Sequence, residues 1–139
     1  QIERVIVESW RQSGSPTVDL LLQRAAGALA DEEYGLALEH LDTIVELAPD
    51  FAEGWNMRAT AYFRINEYQL SIDDLSRTLS LQPRHFGALS GLGVIFERLD
   101  DKERALSALR QALRVHPHLD ENIRDLVERL RIEVEGRGI

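Results

Sequence analysis

Residues 52–85 read AEGWNMRATAYFRINEYQLSIDDLSRTLSLQPRH, and the segments before and after them repeat the same pattern of apolar and small residues. Prolines mark the register of this repeat, because Pro49, Pro83 and Pro117 stand 34 residues apart. A fixed period of this length is the signature of a protein built from stacked copies of one structural unit. The spacing therefore predicts three units, which span residues 18–51, 52–85 and 86–119.

Each unit is predicted to contain two helices that pack against each other. Apolar and small residues recur at intervals of three and four, which places them on one helix face. In the second half of every unit a small residue precedes a leucine by one helical turn. These pairs are Ala37 and Leu41, Ser71 and Leu75, and Ala105 and Leu109.

Prolines and polar residues predict where these helices end. Because proline lacks an amide hydrogen and disfavours helix in the residue before it, the second helices should end at Ala48, Gln82 and His116. Polar residues predict turns inside the units. These turns fall at residues 31–34, 66–68 and 100–102. Each unit is therefore predicted to be a helix–turn–helix hairpin.

Residues 1–17 are predicted to form a flanking helix and a turn. The apolar stripe of this helix, over residues 2–12, consists of Ile2, Val5, Ile6, Ser9 and Trp10. Ser15 is the expected N-cap of the next helix, and Pro16 is its expected first residue. We interpret the flanking helix as a cap on the repeats, with a docking or dimerisation helix as the alternative.

Residues 120–135 are predicted to form a capping helix after the third unit. Asp120 is the expected N-cap, because its carboxylate can accept from the unpaired amides of the first turn. Four apolar residues should face the repeats, namely Ile123, Leu126, Val127 and Leu130. Charged residues should face outward, namely Glu121, Arg124, Asp125, Glu128, Arg129 and Arg131.

The composition narrows the range of ligands. The chain has 139 residues and a formal net charge of −8, and it has no basic residue between Arg24 and Arg58. An acidic surface repels phosphate backbones, so nucleic acid is not an expected ligand. We interpret the acidic stretch 31–53 as a solvated helix face, with a docking surface for a basic partner as the alternative. No apolar run is long enough for a membrane span, so no membrane insertion is expected.

The sequence predicts no catalytic residue, metal site or cofactor. The His116-Pro117-His118 stretch lacks a third ligand at metal-binding spacing. The Asp73-Asp74 and Asp100-Asp101 pairs are expected to be solvated, because adjacent side chains on a helix point apart. Gly91 and Gly93 fall inside a predicted helix rather than in a phosphate-binding loop. These observations argue against an enzyme.

The repeat pattern resembles that of the tetratricopeptide repeat family over about residues 18–119. The residues that carry the resemblance include Trp55, Ala59 and Tyr62 in the second unit, and Leu89, Leu92, Gly93 and Phe96 in the third. The resemblance implies an all-α, right-handed superhelix, or α-solenoid, made of three helix–turn–helix repeats between the two flanking helices. Arg24 and Arg58 stand where the family usually has leucine, and we expect their stems to cover apolar surface while their heads stay in water.

Family resemblance also implies that the first helix of each unit lines a concave groove that holds a segment of a partner protein. The predicted groove residues are Leu22, Gln23, Ala26, Glu53, Asn56, Met57, Thr60, Phe63, Arg64, Gly87, Ser90, Gly91, Val94, Glu97 and Arg98. Leu22, Met57, Phe63 and Val94 are the expected floor, and the alternative is that they only pack against neighbouring helices. The family's clamp for acidic chaperone tails is absent, because its lysine, arginine and asparagine positions hold Leu22, Ala26, Met57, Gly87 and Gly91.

The sequence therefore predicts a non-catalytic adaptor for a protein or peptide partner, and the alternative is a self-assembly module that forms a homodimer through its N-terminal helix or its ends. A second resemblance is to small alphaproteobacterial tetratricopeptide proteins that are exported to the periplasm. It rests on Trp10 with residues 13–15 and 18–21, on residues 52–56 and on residues 84–93. This resemblance implies a periplasmic location and a role in cell-envelope maintenance, with a cytoplasmic location as the alternative.

Overall fold

A computed structural model describes residues 14–118 and 120–136 of the chain. These residues form seven α-helices and no β-strand, which confirms the all-α prediction. The helices are α1 (Pro16–Ala30), α2 (Tyr34–Leu47), α3 (Ala52–Arg64), α4 (Tyr68–Leu81), α5 (Phe86–Arg98), α6 (Lys102–Val115) and α7 (Glu121–Glu135). The amphipathic stripe predicted over residues 2–12 lies outside the described residues.

The helix ends lie where proline and the capping residues predict them. Helices α2 and α6 end at the C-caps Ala48 and His116, and α4 ends one residue before Gln82. Ser15 caps α1 by accepting a hydrogen bond of 3.3 Å from the Val18 amide. Asp120 caps α7 by accepting one of 2.8 Å from the Asn122 amide.

The three hairpins share one turn conformation. Glu32, Asn66 and Asp100 stand 34 residues apart and have φ angles of 59°, 64° and 59°. In each turn the next amide donates to a carbonyl five residues back, at 2.8 Å for Glu33 and 2.9 Å for Glu67. This hydrogen bond is the Schellman closure of a helix, which places one residue in the left-handed region.

The described residues fall into two compact units, the first ending at Leu81 and the second beginning at Gln82. The first unit contains α1 to α4. Its main core is a cluster of buried residues from three helices, namely Val18, Leu22, Ala25, Ala28, Ala37, Leu41, Ile44 and Ala61. Gly54 allows α3 to lie close to α2, because a Cβ atom there would be 2.9 Å from Cγ2 of Ile44.

The second unit contains α5, α6 and the capping helix α7. Its core joins α6 to α7 through the buried residues Ala105, Leu106, Leu109 and Leu130. The predicted inward residues Ile123, Leu126 and Val127 pack against this core, and the six charged residues predicted to face outward are exposed. Gly93 is required for the contact between α5 and α6, because a Cβ atom there would overlap the side chain of Leu109.

Candidate binding surface

In the first unit, the predicted groove residues lie on the first helices of the two hairpins. On α1, Gln23 and Ala26 are exposed, whereas Leu22 is only 6% exposed and belongs to the core. Leu22 therefore has almost no surface to offer as a groove floor. The sequence did not separate Leu22 from the exposed positions, because leucine is common in both environments.

On α3, the predicted groove residues form a mixed polar and apolar surface. Thr60 and Arg64 are exposed, and Asn56, Met57 and Phe63 are partly exposed. The helix turns about 100° per residue, so Asn56 and Thr60 each lie about 160° from Arg58, which faces α4. We call this surface, together with the partly exposed Glu53 and with Gln23 and Ala26, the first-unit face.

Met57 and Phe63 supply the apolar part of the first-unit face. Met57 packs against the first-unit core, so it lies on the side of α3 that faces α1 and α2. The ring of Phe63 contacts the ring of Tyr68 at the start of α4, with 5.7 Å between the centroids. Because each side chain is held by its neighbours and still partly exposed, a ligand could bury them with little loss of side-chain entropy.

Asn56, Glu53 and Thr60 supply the polar part of the same face. The Asn56 amide group donates to a carboxylate oxygen of Glu53 at 3.4 Å, and the Thr60 hydroxyl donates to the Asn56 carbonyl at 3.3 Å. These hydrogen bonds lie along one side of α3. A partner segment would therefore meet oriented polar groups beside the apolar ones.

In the second unit, the predicted groove residues all lie on α5. Gly87 and Arg98 are exposed, and Ser90, Gly91, Val94 and Glu97 are partly exposed. Glu97 accepts a hydrogen bond of 3.1 Å from Arg129 of α7, so its charge is engaged in an ion pair. The hydroxyl oxygen of Ser90 is buried without a hydrogen-bond partner among the described residues. This part of the surface has fewer large side chains than the first-unit face.

A second polar cluster, which the sequence pattern did not indicate, lies inside the second hairpin. Arg58 donates two hydrogen bonds to the carboxylate of Asp74, with distances of 2.8 and 2.9 Å, and one of 3.2 Å to Asp42 of α2. Its guanidinium also lies 5.1 Å from the ring of Trp55 and 5.6 Å from that of Tyr62. The expectation that the head of Arg58 stays in water is therefore wrong.

The expectation that Asp74 is solvated is also wrong, since this residue is 3% exposed. Burial raises the pKa of Asp74 above its ordinary value, while the hydrogen bonds and the charge of Arg58 oppose that rise. The bond to Asp74 raises the pKa of Arg58 in turn. Asp74 is almost fully buried and both of its carboxylate oxygens accept hydrogen bonds from Arg58, so the pair lies inside the hairpin. The cluster stabilises the hairpin and does not form an open reaction site.

Two of the four histidines have structural contacts. Nδ1 of His85 accepts a hydrogen bond of 3.0 Å from the Ala88 amide and so caps α5. The ring of His116 lies 5.0 Å from the ring of Phe86. Over residues 14–118 and 120–136, no group of three or more histidine or acidic side chains could hold a metal ion. Within the same ranges, no helix has both the length and the apolar character needed to cross a membrane.

Comparison with known proteins gives consistent matches. The family model for the tetratricopeptide repeat matches residues 22–79 and 56–120. A TPR repeat-containing protein of Rhizobium etli is 40% identical over 108 residues, which cover 78% of this chain and 53% of the relative. A tetratricopeptide repeat-containing protein of Caenorhabditis elegans is 30% identical over 68% of this chain and 13% of its own length. The chain thus spans about half or less of the length of these relatives.

Solved structures with the same fold have low sequence identity to this chain. The Sgt2 TPR domain from Aspergillus fumigatus has a TM-score of 0.80 and 20% identity, over 89% of this chain and 83% of that one. The first TPR domain of Spaghetti (RPAP3), bound to an HSP90 peptide, has a TM-score of 0.81 and 17% identity, over 87% of this chain and 95% of that one. The TPR2B domain of yeast Sti1, in a complex with an Hsp70 peptide, has a TM-score of 0.78 and 15% identity, over 86% of this chain and 99% of that one.

Proposed function

Because the chain belongs to the tetratricopeptide repeat family, whose members are protein-interaction adaptors, we propose that it is a non-catalytic adaptor that binds a segment of a partner protein. Two structures with this fold hold chaperone peptides, which supports a peptide-like ligand for this chain as well. The proposed site in the first unit is the first-unit face.

One observation carries this proposal, namely that a partly exposed position of the repeat varies widely in its side chain while a fully buried one does not. The buried position after each turn holds only small residues, which are Ala37, Ser71 and Ala105. The position of Met57, which is partly exposed, holds Gln23 in the first repeat and Gly91 in the third. The fold thus does not require methionine there, and the exposed part of Met57 is apolar surface that a ligand can cover.

The chemistry of the first-unit face favours a partner segment with apolar anchors. Met57 and Phe63 offer apolar contact area, while Gln23, Asn56 and Thr60 can form hydrogen bonds with a peptide backbone. Some members of the family bind acidic tails with a lysine-rich clamp. The equivalent positions of this chain do not hold the clamp residues. We propose that this adaptor is not specific for acidic chaperone tails.

Selection from a random peptide library displayed on phage tests the proposal. Peptides selected on the wild-type chain should bind a Phe63→Glu chain at least about tenfold more weakly, because an anchor becomes charged. The matched control is Leu70→Glu, which places the same charge on an exposed leucine of α4. Circular dichroism melts establish that both variants are folded. Equal binding by the wild-type and Phe63→Glu chains would reject the first-unit face as the site.

We also propose that the protein works in the bacterial periplasm, in maintenance of the cell envelope. The resemblance to exported tetratricopeptide proteins supports this location, and the 40% identity to the Rhizobium etli protein supports only the bacterial part of the proposal. Fusing the complete gene to alkaline phosphatase, which is active only in the periplasm, tests it. Activity of a cytoplasmic reporter instead would favour the cytoplasmic alternative.

A second candidate function is self-association through the outer side of α1. Leu20 is 47% exposed, whereas the equivalent residues of the next repeats, Gly54 and Ala88, are buried. A second copy could cover this leucine in a homodimer. Sedimentation of the wild-type and Leu20→Glu chains tests the idea, and a monomer in both cases would reject it.

A further inference from the structure

Met57 is the only sulfur-containing side chain in the chain, which has one methionine and no cysteine. It lies on α3 between an exposed and a buried neighbour. Around the helix axis, Thr60 lies about 60° from Met57 on one side and is exposed. Ala61 lies about 40° from Met57 on the other side and is buried. Met57 itself is partly exposed and packs against the first-unit core. Its thioether therefore lies where the first-unit face meets the core.

The repeat tolerates a polar group at this position. The equivalent residues, 34 positions before and after Met57, are Gln23 and Gly91. Gln23 is exposed and polar, and Gly91 has no side chain at all, yet both hairpins have the same helical structure. A polar atom added at Met57 would thus change the surface of α3 without removing a contact that every repeat needs.

We propose that Met57 is a redox-modification site whose oxidation weakens binding at the first-unit face. This inference rests on the proposed adaptor function. The reactant is a peroxide, for example hydrogen peroxide. A sulfur lone pair of Met57 attacks one peroxide oxygen, so that an S–O bond forms while the O–O bond breaks. With hydrogen peroxide, the other oxygen leaves as hydroxide and takes the proton from the oxygen now bound to sulfur, which gives water and the sulfoxide. The sulfur is oxidised by two electrons and the peroxide is reduced.

Oxidation changes the character of the apolar part of the first-unit face. A flexible thioether is a good contact for varied apolar ligands, whereas a sulfoxide is polar and must keep a hydrogen bond to water or to a donor. An apolar anchor of the partner would then desolvate a polar oxygen without replacing that bond. Methionine sulfoxide reductases reverse the reaction, so the effect is a switch that can return to its first state.

The first experiment tests whether the site reacts in the folded chain. Native protein is treated with hydrogen peroxide, digested and analysed by mass spectrometry. We expect one added oxygen atom, located on Met57, and a melting midpoint that stays within a few degrees of the untreated value. Met57→Leu is the matched control, which should gain no oxygen atom under the same conditions. Oxidation that occurs only in urea-unfolded protein, or that unfolds the chain, would overturn the inference.

The second experiment tests the effect on binding. The probe is a synthetic peptide from the library selection whose binding is lost in the Phe63→Glu chain. Oxidation should weaken its binding about tenfold, and treatment with methionine sulfoxide reductases should restore it. Met57→Gln, which copies the first repeat, should bind like the oxidised chain, and Met57→Leu should bind equally before and after peroxide.

The outcomes separate the two proposals. If no selected peptide depends on Phe63, the first-unit face is not a binding site, and the inference fails with the proposed function. If such a peptide binds the oxidised and the reduced chains equally, the face binds a partner but Met57 does not control it. That second result overturns the inference alone.

Discussion

The second hairpin (α3 and α4) and the third hairpin (α5 and α6) share their helix lengths and their turn, but they fill their interiors differently. The second hairpin has polar residues at four positions where the third has apolar ones. These equivalent pairs are Arg58 and Leu92, Ser71 and Ala105, Asp74 and Ala108, and Thr78 and Ala112. The repeat therefore accepts, at these interior positions, either apolar residues or polar residues that form hydrogen bonds within the hairpin.

The polar interior is possible because its buried groups have partners. The Ser71 hydroxyl donates to the Ala59 carbonyl at 2.8 Å, and the Thr78 hydroxyl donates to the Asp74 carbonyl at 2.9 Å. Arg58 satisfies the carboxylate of Asp74. Removing one partner of such a buried pair lowers the free energy of unfolding strongly. Replacing both partners with well-packed apolar residues changes it little.

Breaking the pair from one side should have the largest effect. An Arg58→Leu chain keeps the buried carboxylate of Asp74 without its partner, which should lower the free energy of unfolding by about 3 kcal/mol. Urea denaturation measures this loss. The control is Asp73→Ala, which removes an exposed neighbouring carboxylate and should change stability by less than about 0.5 kcal/mol. Equal losses in both variants would mean that the pair has no special role.

Copying the third hairpin into the second should recover most of that loss. The double variant Arg58→Leu, Asp74→Ala has the residue types of Leu92 and Ala108, and no buried charge remains. Its stability should come within about 1 kcal/mol of the wild-type value. A double variant as unstable as Arg58→Leu alone would show that the two interiors are not interchangeable.

The third hairpin has Gly93 where the second has Ala59. Changing Gly93 to alanine should have the next largest effect on stability. A Cβ atom on Gly93 would overlap Leu109, which is fully buried, so Gly93→Ala should destabilise the chain by about 2 kcal/mol. The control is Gly27→Ala on α1, where the new methyl group meets no atom within 4 Å. That variant should instead gain up to about 1 kcal/mol from helix propensity. A thermal melt distinguishes the opposite signs.

The sequence predicts the shared features of the two hairpins better than their differences. Period and proline placement locate the helix ends, and the pairs such as Ser71 with Leu75 lie in the core as expected. The burial of Asp74 was missed because Asp73-Asp74 looks like a solvated pair. The 34-residue register could have revealed it, since it aligns Asp74 with Ala108 and Arg58 with Leu92. The family resemblance chose residues of α3 that are exposed or partly exposed, and for Leu22 the structure shows the alternative, that it packs against neighbouring helices.

Removing Arg58 should also make the free energy of unfolding more dependent on pH. In the Arg58→Leu chain, burial raises the pKa of Asp74 further, because the opposing bonds of Arg58 are gone. The folded state then holds this proton more tightly than the unfolded chain does. Stability is therefore greatest near or below the unfolded carboxyl pKa of about 4, and it falls as pH rises toward the folded pKa.

The stability deficit of Arg58→Leu should accordingly shrink by about 1 kcal/mol between about pH 7 and about pH 5. Urea denaturation of the wild-type and variant chains at both pH values measures this change. The double variant lacks Asp74, so its difference from the wild type should change less with pH than that of Arg58→Leu, since only the smaller rise of the Asp74 pKa in the wild type contributes. A deficit that stays constant with pH in Arg58→Leu would show that Asp74 remains ionised without its partner.

The smallest effect concerns the turns, where the hairpins agree in conformation but not in residue. Asn66 and Asp100 belong to the residue types that tolerate a left-handed backbone, whereas Glu32 of the first hairpin does not, although its φ is 59°. Glu32→Gly should therefore stabilise the chain by about 0.5 kcal/mol, since relief of strain exceeds the entropy that glycine adds to the unfolded state. Asp31→Gly, at the neighbouring residue with a negative φ of −87°, is the control and should destabilise. If both glycines lower the unfolding midpoint, the turn of the first hairpin stores no strain, and all three turns accept their residues equally well.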